Sequence, residues 1–399
     1  MKYGVLWRKT TKNIGDDVQS YAQSLFLPSV DYMVDIEDLE AFESDNHEPV
    51  ATIMSAWYMW NKWKWPPSKD IYPIWVGVHY SDLQRGRPRG MPAKYEYVSS
   101  GEGLNYLKAY EPIGCRDYYT KEAFDKFGIK TFFSGCCTLT LPKRDIPKPE
   151  REYVCVVGVD PKVEKAIKKQ LKGTGIDVVC LPPTRPEAST DMSWEERKAE
   201  VIRYLDTYQN AKCVITFRLH CSLPCLALET PVLLVRHGFN SPRFQPYHKW
   251  MHTAYPEQVI NGEFKDFMLN PPANPDNYKE TREKLIEILN RSIDEAKALD
   301  GKTADEVFKP TYSEVEFLRW KNKTMNDTLD TYLIEHRLDG SEIASLKKKV
   351  SKLEKENKVL RKQLDLGIEN DDFPYNSRII KAALKLRKFL MKFKKMFKK

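Results

Sequence analysis

The sequence predicts an α/β protein with parallel strands, followed by a C-terminal helical extension. Over 151–272, short apolar runs typical of buried strands alternate with amphipathic stretches typical of helices. Such alternation indicates parallel strands joined by crossover helices. A heptad pattern and then a basic amphipathic stretch follow towards residue 399. A chain of 399 residues exceeds one ordinary domain, so several units are expected.

The first predicted domain spans 1–148, where Pro142 and Pro147 mark a linker. A strand at its start leads into a polar loop at 13–17, and a helix follows with Val18, Tyr21, Ala22 and Leu25 on its apolar face. Its predicted strands are 3–7, 51–55, 74–78 and 130–133.

The second predicted domain spans 151–272. The pair Ser193 and Glu196 has capping-box spacing and predicts the start of a helix that runs to about 208. The other predicted helices are 161–171 and 222–228, and the predicted strands are 153–159, 176–180, 213–217 and 231–235. A helical segment at 275–340 is expected to pack on the body.

Residues 341–366 have the pattern of a short coiled coil. The a positions are Ile343, Val350, Asn357 and Leu364, and the d positions are Leu346, Leu353 and Leu360. β-Branched residues at a with leucine at d favour a parallel dimer, and one asparagine at a fixes the register. The sequence thus predicts a homodimer through 343–364. A single solvated helix packed on the body is the alternative.

Residues 376–399 predict a helix that lies on a membrane surface. This stretch holds ten Lys/Arg and no Asp/Glu, which more than accounts for the net charge of +8. Phenylalanines on one helical face and lysines on the other suit an anionic membrane. Contact with nucleic acid or a partner protein is the alternative for the tail, whereas the body shows no basic excess that would indicate nucleic-acid binding.

The location predicted from the sequence is the cytoplasm, at the inner face of the cell membrane. No apolar run reaches the roughly 18 residues of a spanning helix, and residues 1–7 do not resemble a signal peptide. The eight cysteines include no Cys-x-x-Cys pair, so they are read as reduced and buried. Cys221, Cys225 and His220 lack an evident fourth ligand, so no metal site is predicted.

Arg218 and His220 form the sharpest candidate site. They follow the strand at 213–217 and precede a short helix. The carboxyl edge of a parallel sheet is where ligands bind, and a helix start attracts anions. The arginine supplies a fork for carboxylate or phosphate, and the histidine can move protons near neutral pH. A loop histidine beside a salt-bridged arginine is the structural alternative.

Several ordered segments resemble the polysaccharide pyruvyltransferase family. They are Asn13-Ile-Gly-Asp-Asp-Val-Gln-Ser20, Gly114-Cys-Arg-Asp-Tyr-Tyr-Thr120, Ser134-Gly-Cys-Cys-Thr-Leu-Thr-Leu141 and Cys213–Ala227 with Pro231–Val235. The resemblance covers about 1–300. It implies two Rossmann-like domains in a glycosyltransferase-B-like arrangement. It also implies transfer of a pyruvyl ketal from phosphoenolpyruvate to two hydroxyls of a sugar.

The donor of that reaction carries a carboxylate and a phosphate. Arg218 is expected to bind it, with Arg116 as a second cation from across the cleft and Arg243 as a further phosphate candidate. His220 is the expected general acid. The reaction needs no cofactor besides phosphoenolpyruvate as co-substrate. An ion pair with Asp117 is the alternative role for Arg116.

The acceptor is expected to be a sugar on a lipid-linked oligosaccharide. Its candidate contacts are Asn13, Asp16, Asp17, Trp57, Trp60 and His79. Tryptophan faces stack on sugars, but packing beneath a long loop is an alternative for Trp57 and Trp60. Helix capping is the alternative for Asp16 and Asp17. The alternative functions are a nucleotide-sugar glycosyltransferase and a non-catalytic membrane scaffold.

Overall fold

The computed structural model describes residues 1–58, 65–80, 101–311, 313, 315–323 and 348. The described residues from 1 to 323 belong to one compact unit, and all the elements named below lie in it. The predicted basic helix, Trp60 and all of the predicted coiled coil except Lys348 lie outside the described residues. Among the helices that are described, none is both long and apolar enough to cross a membrane.

The N-terminal half contains a four-stranded parallel sheet and two small parallel pairs. The strands are β1 Lys2–Trp7, β2 Tyr32–Asp35, β3 Val50–Ile53, β4 Trp57–Tyr58, β5 Ile71–Ile74, β6 His79–Tyr80, β7 Ile113–Cys115 and β8 Thr131–Phe133. The sheet order is β2-β1-β3-β5, and β4 pairs with β6 and β7 with β8. The helices are α1 Ile14–Ser24, α2 Gly101–Ala109 and α3 Tyr118–Lys126.

The C-terminal half contains a five-stranded parallel sheet. Its strands are β9 Tyr153–Val157, β10 Asp177–Leu181, β11 Cys213–Thr216, β12 Val232–Val235 and β13 His252–Ala254, in the order β10-β9-β11-β12-β13. The helices are α4 Pro161–Leu171, α5 Trp194–Asn210, α6 Leu219–Ala227, α7 Pro256–Ile260, α8 Lys265–Leu269, α9 Lys279–Lys297 and α10 Ala304–Val307. The order of strands along the sheet reverses direction between β9 and β11, so the end of β11 lies at a topological switch point.

The predicted mixed α/β class with parallel sheets is confirmed. The capping box at Ser193 is present, and α4 has the predicted bounds. The strand predicted at 74–78 instead ends at Ile74. Leu25 lies just beyond the end of α1 and is 45% exposed, so it does not share the buried face of Val18. The domain boundary at about 148 stays a prediction, although 141–150 contain no helix or strand.

One apolar core is shared by the two halves. Ile14 and Val18 of α1 pack in the same buried cluster as Val201 and Tyr204 of α5. Seven of the eight cysteines are also buried, and Cys180 is half-buried. Because burial of apolar surface drives folding, this shared cluster holds the first helix against the second half.

A buried polar network joins the same two halves. The Arg197 guanidinium donates to the carbonyls of Arg8 at 3.0 Å and Lys9 at 2.7 Å, and it lies 3.4 Å from Asp17. Asp17 also pairs with Arg185 at 2.6 Å. The backbone of 183–189 adds further hydrogen bonds to 11–14. We call the set Asp17, Arg185 and Arg197 the buried clamp.

Candidate active site

Two helix starts bring the predicted site residues to the ends of buried strands. Arg218 is the N-cap of α6, directly after β11, and His220 lies in the first turn. Asn13 is the N-cap of α1, after β1, and accepts a hydrogen bond from the Gly15 amide at 3.2 Å. Gly15 lies against His220: a Cβ added there would be 2.9 Å from the Cβ of the histidine. The two helix starts are therefore in contact.

Arg116 follows the last residue of β7, and its side chain lies against α1 and the start of α6. Its Nη1 lies 3.4 Å from Nε2 of His220 and donates to Oε1 of Gln19 at 2.8 Å. The Tyr247 hydroxyl donates to the Arg116 carbonyl. Arg116 is 1% exposed, yet its Nε and Nη2 have no hydrogen-bond partner among the described residues. A buried guanidinium with unused donors is typical of a site that binds an anionic ligand.

Arg218 and Arg243 are half-buried and complete a cationic group. Burial lowers the pKa of Arg218, and burial together with Arg116 lowers the pKa of Arg243 to about 10. The Nε atoms of both arginines are buried and lack partners within the described part of the chain. Asp16 is the carboxylate whose charge acts on both arginines. Asp117 acts on Arg243 as well, and two carboxylates do not balance three guanidinium groups, so the site favours a multiply charged anion.

Two buried histidines border these arginines. Burial lowers the pKa of His220 well below its ordinary value, and the charges of Arg116 and Arg243 lower it further. Burial lowers the pKa of His79 to about 4, although its hydrogen bond to Asp117 opposes this shift. Both rings are therefore neutral near neutral pH without a bound ligand.

The structure brings His79 into contact with two neighbours. Its Nδ1 lies 2.5 Å from Oδ2 of Asp117, and the centre of its ring is 5.6 Å from that of Trp57. Arg243 also lies over the Trp57 ring, with its Cζ 4.6 Å from the ring centroid. Trp57, a residue of β4, thus contacts both Arg243 and His79.

The predicted acceptor residues separate into two sets. Asp16 is half-buried and accepts hydrogen bonds from Thr11 at 2.6 Å and Asn13 at 2.9 Å. Asp17 is 0% exposed and is enclosed by the buried clamp. A carboxylate paired in this way offers no oxygen to a sugar, so the structure gives Asp17 a structural role in place of the predicted contact.

Sequence reasoning missed three residues that complete the site: Gln19, Asp117 as the partner of His79, and Tyr247. Gln19 and Asp117 each lie inside a motif that carries the family resemblance, which is the only signal that points to them. Tyr247 has no such signal, because its contact with the Arg116 carbonyl joins positions 131 apart. No group of three or more His, Cys, Asp or Glu side chains in the described residues could hold a metal ion.

Two solved structures are weakly similar to this chain. Among solved structures, the S. aureus MnaA–UDP co-structure shares 8% identity at a TM-score of 0.40, covering 75% of this chain and 96% of that chain. Methanocaldococcus jannaschii UDP-GlcNAc 2-epimerase, in complex with UDP-GlcNAc and UDP, shares 13% identity at a TM-score of 0.36, covering 73% and 100%. These scores are too low to support an inference.

No curated protein sequence matches the chain. The family model "Polysaccharide pyruvyl transferase" matches residues 13–238, a span that includes Asn13, His79, Arg116, Arg218 and His220. Because this match covers more than half of the sequence, the chain belongs to the polysaccharide pyruvyl transferase family, whose enzymes transfer pyruvyl groups.

Proposed function

We propose that the enzyme takes its pyruvyl group from phosphoenolpyruvate and attaches it as a ketal to two hydroxyls of one sugar. The observation that carries this proposal is the group of Arg116, Arg218 and Arg243 with unused N–H donors around His220. Phosphoenolpyruvate carries a carboxylate and a phosphate ester on the same carbon, C2, and guanidinium groups bind both in a bidentate manner.

His220 is the general acid of the proposed reaction. Phosphoenolpyruvate becomes electrophilic at C2 when its C3 methylene accepts a proton. Without a ligand, burial and Arg116 keep the pKa of His220 low and the ring neutral. The negative charges of the donor offset the arginine charges, so its arrival raises the pKa of His220 and allows the ring to carry the proton that C3 needs.

The proposed bond changes balance. The oxygen of the first sugar hydroxyl bonds to C2 and loses its proton, while C3 gains one from His220. The bond from C2 to the phosphate oxygen then breaks, and the second hydroxyl oxygen bonds to C2 and loses its proton. One of the two hydroxyl protons restores His220 after its own proton has gone to C3. The other hydroxyl proton leaves with the phosphate. Asn13 and Asp16, at the start of α1, are the proposed acceptor contacts, and Trp57 is proposed to lie at the edge of the acceptor site.

The test is phosphate release from phosphoenolpyruvate by the full chain in the presence of glycosides with two free neighbouring hydroxyls. We expect release that depends on the glycoside, and a product with the mass of the pyruvyl ketal. His220→Ala should lose at least about 100-fold in rate, whereas His237→Ala should not, since His237 is solvent-exposed. Turnover of a nucleotide sugar with none of phosphoenolpyruvate would instead support a glycosyltransferase.

We further propose that the acceptor is lipid-linked and that 376–399 holds a homodimer, joined through 343–364, at the inner face of the cell membrane. The sequence pattern supports this, with apolar and basic residues on opposite helical faces and apolar residues at heptad spacing. Replacing Phe389 and Phe393 by Asp should move the protein from the membrane fraction to the soluble fraction. Retention on membranes would contradict the proposal.

A further inference from the structure

His79 is a buried histidine that the reaction above does not use. It lies in β6, directly opposite Trp57 of β4, and the residue is 2% exposed. Its Nδ1 is 2.5 Å from Oδ2 of Asp117. Its Nε2 is buried and has no hydrogen-bond partner among the described residues. A buried nitrogen without a partner is costly, so its persistence points to a ligand group that completes it.

Asp117 is held in place from its other side. It is the N-cap of α3, and its Oδ1 accepts hydrogen bonds from the Thr120 amide at 2.8 Å and the Thr120 hydroxyl at 2.9 Å. Burial alone would raise the pKa of Asp117, but the hydrogen bonds from His79 and Thr120 lower it below its ordinary value. An ionised carboxylate in a fixed orientation therefore faces the imidazole.

This pairing determines which nitrogen of His79 carries the proton. A carboxylate only accepts hydrogen bonds, so the neutral ring keeps its hydrogen on Nδ1 and presents a lone pair at Nε2. The charged groups that act on the ring, Arg116, Arg243 and Asp117, are those of the site itself. The ring is thus a proton acceptor beside the arginines that bind the donor.

We propose that His79 is the base that takes the proton of the attacking sugar hydroxyl, and that Asp117 is the positioning residue that holds it in the accepting tautomer. This inference rests on the proposed function. As the hydroxyl oxygen bonds to C2 of the donor, its proton moves to Nε2, and Asp117 stabilises the resulting imidazolium. The proton leaves His79 when the departing phosphate takes it. Asp16 suits this step less well, because its two oxygens already accept hydrogen bonds from Thr11 and Asn13.

The decisive variant is Asp117→Asn. Asparagine is an equally good N-cap, so its oxygen still accepts from Thr120. Its NH₂ group, however, donates to Nδ1 of His79, which moves the ring hydrogen to Nε2 and removes the lone pair. We expect kcat for ketal formation to fall about 100-fold or more, with the dissociation constant of phosphoenolpyruvate little changed. Nitrogen NMR of the unliganded protein should show His79 changing tautomer.

Asp125→Asn is the matched control. It makes the same substitution within α3 at an exposed carboxylate that pairs with Lys121, and it leaves the Asp117–His79 hydrogen bond intact. We expect it to keep kcat within a few-fold and to leave the tautomer unchanged. His79→Gln removes the proposed base and leaves the N-cap of α3 intact. The double variant with Asp117→Asn should lose no more of kcat than either single variant, because the two residues act as one unit.

The outcomes separate this inference from the function on which it rests. If the wild-type protein forms ketal and Asp117→Asn keeps its kcat, or if His79 carries its hydrogen on Nε2 in the wild type, the base role is overturned and the proposed function stands. If the wild type forms no ketal from phosphoenolpyruvate with any diol, both proposals fall.

Discussion

Arg116 and His220 lie 104 positions apart in the sequence, yet Nη1 of the arginine is 3.4 Å from Nε2 of the histidine. An arginine only donates hydrogen bonds, so the histidine nitrogen that faces it is the acceptor in the unliganded protein. The proposed acid is therefore uncharged until a ligand alters the charge around it, and this relationship leads to the first prediction.

Binding of phosphoenolpyruvate should take up a proton. Burial, Arg116 and Arg243 hold the pKa of His220 well below its ordinary value in the free protein, and the donor's negative charges raise it. Because the bound state holds more protons than the free state, affinity should fall as pH rises through the range in which liganded His220 titrates. Calorimetric titrations in two buffers with different ionisation enthalpies measure the uptake. It should vanish in His220→Asn, and heats that do not depend on the buffer in the wild type would contradict the prediction.

Arg116→Met should weaken donor binding. A hydrogen bond to a charged group is worth about 1.5–3 kcal/mol, so the dissociation constant should rise about 10- to 100-fold. The dissociation constant of Arg116→Lys should lie between those of the wild type and Arg116→Met, since lysine keeps the charge but cannot form the bidentate contact of a guanidinium. Equilibrium binding of phosphoenolpyruvate measures this, with Arg291→Met as the control at an exposed site on α9. Equal affinity for the wild type and Arg116→Met would place the donor elsewhere.

Gly15→Ala should impair catalysis although alanine favours helices. The added methyl would lie 2.9 Å from Cβ and 3.4 Å from Nδ1 of His220, so the histidine must move. Misplacement of a catalytic group by about 1 Å can cost about 100-fold in rate. Gly238→Ala is the matched control, because nothing lies within 4 Å of the methyl it would add. Equal rates for the two variants would show that the position of His220 does not matter.

Acid should destabilise the protein through His79. Burial lowers the pKa of this residue from 6.5 to about 4 in the folded state. Between these values the unfolded chain binds more protons than the folded protein, so the free energy of unfolding falls as pH falls from 6.5 to about 4. The full effect is on the order of 3 kcal/mol. Chemical denaturation across this range should show that the free energy of unfolding depends less steeply on pH in His79→Gln than in the wild type. The same pH dependence in both proteins would refute the prediction.

Arg197→Met should destabilise the protein strongly. It leaves Asp17 with one of its two cationic partners and releases the carbonyls of Arg8 and Lys9. Removing one member of a buried pair typically costs about 3–5 kcal/mol. Lys168→Met, which breaks an exposed pair on α4, should have no measurable effect on urea denaturation. A similar midpoint for the two variants would show that the buried clamp is not stabilising.

The sequence was sufficient to predict the features that depend on local patterns. The apolar run of β11, the following Arg218 and the short helix with His220 are neighbours in the chain, so their arrangement at a strand end could be predicted. The start of α5 could be predicted equally well, because the capping box joins Ser193 to Glu196, only three positions later.

Features that depend on distant contacts were not predictable in the same way. The pairing of His79 with Asp117 requires β6 and the start of α3 to meet, and nothing in the spacing of 38 residues indicates it. Asp16 and Asp17 look alike in sequence, but α1 turns one towards the site loop and the other towards Arg185 and Arg197. Which of two adjacent carboxylates is accessible depends on a helix whose Arg197 lies 180 positions later.

The buried clamp also has a consequence for biosynthesis. Arg8 and Lys9 leave the ribosome long before Arg197, which is 189 and 188 residues further along. Domains commonly fold as they emerge during translation. Here the loop at Arg8 and Lys9 cannot reach its native contacts, and Asp17 lacks its cationic partner Arg197, until α5 has been synthesised. A chaperone that binds the first half during synthesis should therefore raise the yield of native enzyme.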